Sequence, residues 1–204
     1  MTKKELYDIL KERFQEVLKE HQIENDHLSV SCRSLTPEEA IGKTKRTDYP
    51  ILTGKDVMIQ AEYKGFCGQA FTDAPSSFEG MLEDILQMDI EHDPHDRGIF
   101  IATVNAVMAS LGLCCGTVHC RTEGPELCAQ DMLKFLEDNY PDVKRIALVG
   151  FQPSLLEMLS KSKYDVRVMD LNPNNIGQVK FGICVEDGTT MKGEIRDSYA
   201  ELIL

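Results

Sequence analysis

Arg145-Ile146-Ala147-Leu148-Val149-Gly150-Phe151-Gln152-Pro153-Ser154 is the stretch that decides the fold. Residues 146–149 are a near-continuous apolar run that ends in a glycine. A strand buried on both faces of a parallel sheet reads this way, because neither face meets water and the usual alternation is lost. Pro153 suits the first position of a helix, where its missing N–H would be unpaired anyway, and a helix is predicted from Pro153 to about Ser160. Asp165 to Leu171, apolar at Val166, Val168 and Leu171, predicts a second strand. Strand, glycine turn, helix and strand together make the βαβ unit of a Rossmann-like sheet. Leu202-Ile203-Leu204, reached through Asp197–Glu201, predicts a third strand beside Ile146–Val149. The open edge of such a strand invites pairing with a second copy, so a homo-oligomer is one expected partner.

Upstream of this unit the pattern is mixed α+β. Leu6, Ile9, Leu10, Phe14, Val17 and Leu18 fall on one helical face over 4–20. His27–Ser34 alternates as a strand, and Thr36-Pro37-Glu38-Glu39 carries the cap, proline and early acids of a short helix. Asp56–Tyr63 predicts another strand, Gly65–Gly68 a turn, and Gln69–Thr72 a return strand. Ser77–Met88 is read as a helix. Asp93 caps a longer one that begins at Pro94 and stops at Gly112. A further helix over 126–139 ends at Pro141.

Composition excludes several classes. The formal net charge of −12 opposes non-specific binding to nucleic acid or to an anionic membrane, since both need a basic surface. There is no apolar run of membrane-spanning length, and Met1–Arg13 is charged where a signal peptide would be apolar. A cytoplasmic protein is expected. Seven scattered cysteines do not suggest a disulfide framework.

Four groups could carry chemistry. Asp170 lies 20 positions past Gly150, the spacing at which Rossmann sheets hold a ribose hydroxyl. The helix start near Pro153 and Ser154 offers free N–H groups to an anion, but Gly150-Phe151-Gln152 lacks the further glycines of a dinucleotide site. Arg97 and Asn105 sit about 80° apart on a helix whose centre, Ile99–Met108, is apolar nearly all round, so both need partners or a polar cavity. Cys114, Cys115, His119, Cys120 and Cys128 are zinc-ligand types, yet adjacent cysteines rarely converge on one ion, and reduced thiols are the simpler expectation. His92 and His95 have a spacing that brings both rings within reach on a helix. A ligand at the strand end is therefore expected to touch Arg97, Asn105, Gly150, Phe151, Gln152, Pro153, Ser154 and Asp170. No catalytic residue is evident, so whether the protein is an enzyme stays open.

Arg97-Gly98-Ile99-Phe100-Ile101-Ala102-Thr103-Val104-Asn105-Ala106, Ile146–Pro153 and Val168-Met169-Asp170-Leu171-Asn172-Pro173 resemble the heavy-metal chelation domain family of bacteria and archaea, formerly a domain of unknown function. The resemblance spans almost the whole chain. It implies an α/β protein with an enolase N-terminal-like α+β domain over 1–90 and a Rossmann-like domain with a parallel sheet over 91–204. It also implies a site between the two, with Arg97, Asn105 and Gly150–Pro153 beside it. Family members continue past the third Rossmann strand into a Thr/Gly-rich turn, so this chain, ending at Leu204, is expected to hold only part of that domain. The implied partner is a small molecule or metal chelate, and the implied cofactor a metal ion. The alternative is a Rossmann enzyme using a nucleotide or an S-adenosylmethionine-like cofactor, with Asp170 on the ribose.

Overall fold

The computed structural model describes residues 3–24, 26, 29–54, 56–114, 120–189 and 199–204. The chain forms two compact units, Met1–His119 and Cys120–Leu204.

In the first unit, β1 (Ser29–Ser34), β2 (Val57–Tyr63), β3 (Phe66–Thr72) and β4 (Phe78–Met81) form an antiparallel sheet in the order β3-β2-β1-β4. The start of the first strand expected at His27 and Leu28 lies outside the described residues. Helix α1 (Lys3–Glu20) and helix α4 (Pro94–Ser110) supply apolar faces to the same core as Ile59, Ala61 and Tyr63 of β2. Phe14 of α1 meets Phe100 of α4 edge-on, with ring centroids 5.6 Å apart. Met58, on the other face of β2, packs with Leu35, Ile51 and the residues Ala40 and Ile41 of α2 (Pro37–Ile41). That short helix starts as expected. Thr36 Oγ1 accepts from Glu39 N–H, and the Glu39 carboxylate accepts from Thr36 N–H at 2.8 Å.

Two expectations need correction. The hairpin turn is Lys64-Gly65, with φ of 52° and 78°, so Phe66, Cys67 and Gly68 belong to β3 and not to a turn. Ser77–Met88 is not one helix. Phe78–Met81 pairs with β1, and only α3 (Leu82–Gln87) is helical.

Helix α4 lies on β2 and β3. Gly98, Ala102 and Ala106 recur every fourth residue, and this small-residue stripe lets the helix come close. The approach is tightest at Gly68, where a Cβ would lie 2.1 Å from Ala106 N and 2.3 Å from Ala102 O. These contacts put α4 in the same unit as the antiparallel sheet, so that unit runs past the boundary expected at residue 90.

The second unit is built on a five-stranded sheet in the order β7-β8-β6-β5-β9, from β5 (Arg145–Val149), β6 (Asp165–Asp170), β7 (Val179–Lys180), β8 (Ile183–Asp187) and β9 (Leu202–Ile203). β8, β6, β5 and β9 are parallel, and β7 folds back against β8. The expected strand at Leu202 therefore lies beside β5, while β7 and β8 were not expected. Helices α5 (Gly124–Asn139) and α6 (Pro153–Ser160) cover one face, burying Leu136, Leu156 and Leu159 against Ile146, Leu148, Val166, Val168 and Val185. Ala147 and Met169 face the other side, with Tyr199 and Ala200.

Candidate ligand-binding turn

The carboxyl ends of β5 and β6 are joined by a small hydrogen-bond hub. Gly150 follows β5 with φ of 94°, in open space, and donates its N–H to Met169 O at 2.7 Å. A side chain would strain that backbone, which explains the glycine. Asp170 closes β6 and takes three donors. Oδ2 accepts from Phe151 N–H at 3.0 Å and from the Asn175 amide at 2.9 Å, and Oδ1 accepts from Asn172 N–H at 2.8 Å. A carboxylate has about four lone-pair sites, so most of its capacity is committed. Asp170 acts here as a strut between the turn after β5 and the turn after β6.

Helix α6 starts at Pro153 with Gln152 at its cap position, and Gln152 makes no side-chain capping bond. Pro153 and Ser154 are buried, and Gln152 is exposed. Lys180 of β7 places its ammonium over the Phe151 ring, 5.8 Å from the centroid. Val149 and Leu171, the residues at the two strand ends, are 57% and 70% exposed and so leave apolar surface beside the turn.

Arg97 and Asn105 belong to the N-terminal unit, and both are held there. Arg97 donates from Nε to Ile90 O at 2.7 Å and from Nη2 to Glu91 O at 2.8 Å, and its guanidinium stacks 5.0 Å from the Tyr7 ring centroid. Asn105 is exposed, not buried, and donates to Gln69 O of β3 at 2.8 Å. The need for partners that marked these residues in the sequence is met by backbone carbonyls. The structure thus gathers Gly150, Phe151 and Asp170 at one strand end, with α6 beginning beside them, and gives Arg97 and Asn105 bonds elsewhere.

The other candidates are simpler. His92 bonds Asp89 at 3.2 Å, and the His95 N–H is spent on the Asp93 cap. Bonds from His92, first of all its backbone N–H, hold the Asp89 carboxyl below its usual range. Among the described residues no three His, Cys, Asp or Glu side chains gather as a metal ion would require. Cys115 and His119 lie outside those residues. Lys180, Asn172 and Asn175 were missed as site residues. The available signal was Gly182-Ile183-Cys184-Val185, a glycine followed by a short β-prone run that predicts the strand bringing Lys180 back over Phe151.

No family model matches the chain, and no curated protein matches it. One solved structure is similar, a protein of unknown function from the DUF364 family of Pyrococcus horikoshii. It is 14% identical, with a TM-score of 0.47, and the match covers 95% of this chain and 64% of that one. The chain thus spans less than two thirds of its neighbour's length, and a likeness this distant says nothing about the turn. No helix among the described residues is long and apolar enough to cross a membrane.

Proposed function

We propose that the protein binds a small molecule at the turn Gly150–Ser154, through an anionic group such as the carboxylate of a metal chelate. Strand order carries the reading. From β5 the chain moves out through β6 to β8, then returns to the opposite side of β5 at β9. In open parallel sheets such a reversal leaves a crevice beyond the strand ends, and ligands bind there. The start of α6, where Gln152 makes no side-chain capping bond, and the Lys180 ammonium give that crevice a positive character. A bare metal ion fits less well, because Asp170 has little remaining capacity to ligate. The parallel sheet is read as Rossmann-like and the antiparallel unit as enolase N-terminal-like on the resemblance of their sequences, which also supplies the chelate as ligand class. Arg97 and Asn105 are left out of the reading, since each already carries a structural bond.

A nucleotide or S-adenosylmethionine-like cofactor is the second reading, favoured by the same strand order. It asks Asp170 to accept from a ribose while holding three N–H donors, and it asks Phe151 to stand where a phosphate cradle has glycine. A thermal-shift series separates the readings, using citrate, citrate with Ni2+, Ni2+ alone and S-adenosylmethionine. A ligand at 100 times its dissociation constant adds about 2.7 kcal/mol, a shift of several degrees. Citrate is expected to stabilise the protein, and Lys180→Gln to remove most of that shift. Stabilisation by Ni2+ alone, or by S-adenosylmethionine but not citrate, overturns the anion reading.

A further inference from the structure

We propose that Cys120 and Cys128 form a reversible disulfide, making the start of α5 a thiol-modification site responsive to hydroperoxides. The geometry begins with the turn Arg121–Gly124, closed by a bond from Gly124 N–H to Arg121 O at 2.8 Å and bent by Thr122 at φ of 56°. The turn folds Cys120 back over the first residue of the helix. A Cβ on Gly124 would lie 3.4 Å from Cys120 Cβ and 3.9 Å from its Sγ. Cys128 is four residues beyond Gly124, one turn along the same helical face. Cys128 stands near enough to the Cys120 thiol to act on its ionisation. The distances at Gly124 are van der Waals distances, so the Cys120 side chain lies directly over position 124.

Their environments differ in a useful way. Cys128 is exposed and Cys120 is half-buried, and both are free thiols. Burial, and secondarily the neighbouring Cys128, push the Cys120 thiol up. The exposed Cys128 is therefore the group an oxidant reaches first. Its thiolate attacks a peroxide oxygen, the O–O bond breaks, and with hydrogen peroxide Cys128 becomes a sulfenic acid as hydroxide leaves. Cys128 then carries no thiolate to oppose ionisation of its neighbour. Cys120 attacks the sulfenic sulfur, the S–S bond forms, and the sulfenic oxygen leaves as water. In sum, two thiols lose two electrons and two protons, and the peroxide becomes two waters. The contrast within the chain is Cys32, which is buried, with its thiol pushed up to about 11 by that burial.

Trypsin makes the test direct, because Arg121 separates the two cysteines. Cys120 falls on peptide 98–121 and Cys128 on peptide 122–134. After hydrogen peroxide treatment of the intact protein, a non-reducing digest is expected to contain these two peptides joined. Dithiothreitol should separate them, and Cys128→Ser should abolish the linked species. Cys114 and Cys115 share the first peptide, so Cys120→Ser is the deciding variant. Loss of the link in Cys120→Ser supports the pair. Persistence of the link in that variant assigns it to Cys114 or Cys115 and overturns the proposal, as does absence of any linked peptide in the native chain.

Discussion

Gly68 shows how one residue can hold a whole interface in place. Its missing side chain lets α4 lie directly on β3, and a methyl group would meet helix backbone at 2.1 Å, where nothing can swing aside. Gly68→Ala is expected to cost roughly 3 kcal/mol or more, visible as a large fall in denaturation midpoint. Gly98→Ala is the control. Its Cβ would touch the end of the Ile59 side chain at 3.1 Å, which can yield, so a much smaller loss is expected. Thr103 predicts the opposite sign. It is fully buried, and its hydroxyl finds no hydrogen-bond partner among the described residues. Thr103→Val replaces an unpaired polar atom by a methyl group of similar shape, and should stabilise by about 1 kcal/mol in the same assay. None of these roles was legible in the sequence. Gly65 and Gly68 look alike there, and Gly65–Gly68 reads as one turn. Only Gly65 has a positive φ, while Gly68 answers to a helix more than 30 residues away.

Elements with a local cause were the legible ones. The cap at Asp93, the proline at 153 and the apolar run at 146–149 act through neighbours in sequence, and α4, α6 and β5 appear where those signals put them. β4 depends on a partner far along the chain, β1, and its own residues do not announce it. The candidate turn divides the same way. Gly150 and the start of α6 could be read from sequence, but the bond that joins the two turns could not, because it runs from Phe151 N–H to a carboxylate 19 residues away, which Asn172 and Asn175 also bond from the turn after β6. Asp170→Ala should therefore loosen two turns at once, at a cost of about 2–4 kcal/mol, with faster amide exchange at Phe151 and Asn172. Exchange unchanged at both would show that the strut is not formed. At α2 the prediction is a pH dependence. The Thr36 N–H, followed by the Arg33 side chain, holds the Glu39 carboxyl down at about 2, against an ordinary 4.5. Because the folded value is the lower one, the capping contribution is complete above pH 4.5 and fades as pH falls toward 2. An NMR titration of Glu39 with a midpoint near 4.5 would mean that the box is open in solution.

At the scale of the molecule, each unit carries its own means of folding. Every strand of the antiparallel sheet comes from residues 29–81, and every strand of the parallel sheet from residues 145–203. The buried clusters follow the same division. Phe14, Leu18, Ile59, Tyr63, Ile85 and Phe100 belong to one, and Leu136, Ile146, Leu148, Leu156 and Val168 to another. Cooperative unfolding arises within a shared core, so two cores with no buried residue in common should support two transitions. The C-terminal unit is the more demanding case, being small enough that only about two thirds of its unfolded surface can be buried. It has favourable features nonetheless. Helices α5 and α6 cover one face of its sheet. On the other side Tyr199 packs on Ala147 and Met169, with the Arg167 guanidinium 5.1 Å from its ring centroid. Arg167 in turn holds Glu186 through both carboxylate oxygens, tying β6 to β8 across the sheet. Residues 1–119 and 120–204, produced separately, are accordingly each expected to give a cooperative thermal transition by circular dichroism. The transition of the 120–204 piece should be lowered by Arg167→Ala. A 120–204 piece that shows secondary structure but no cooperative transition would mean that its core alone does not specify the packed state.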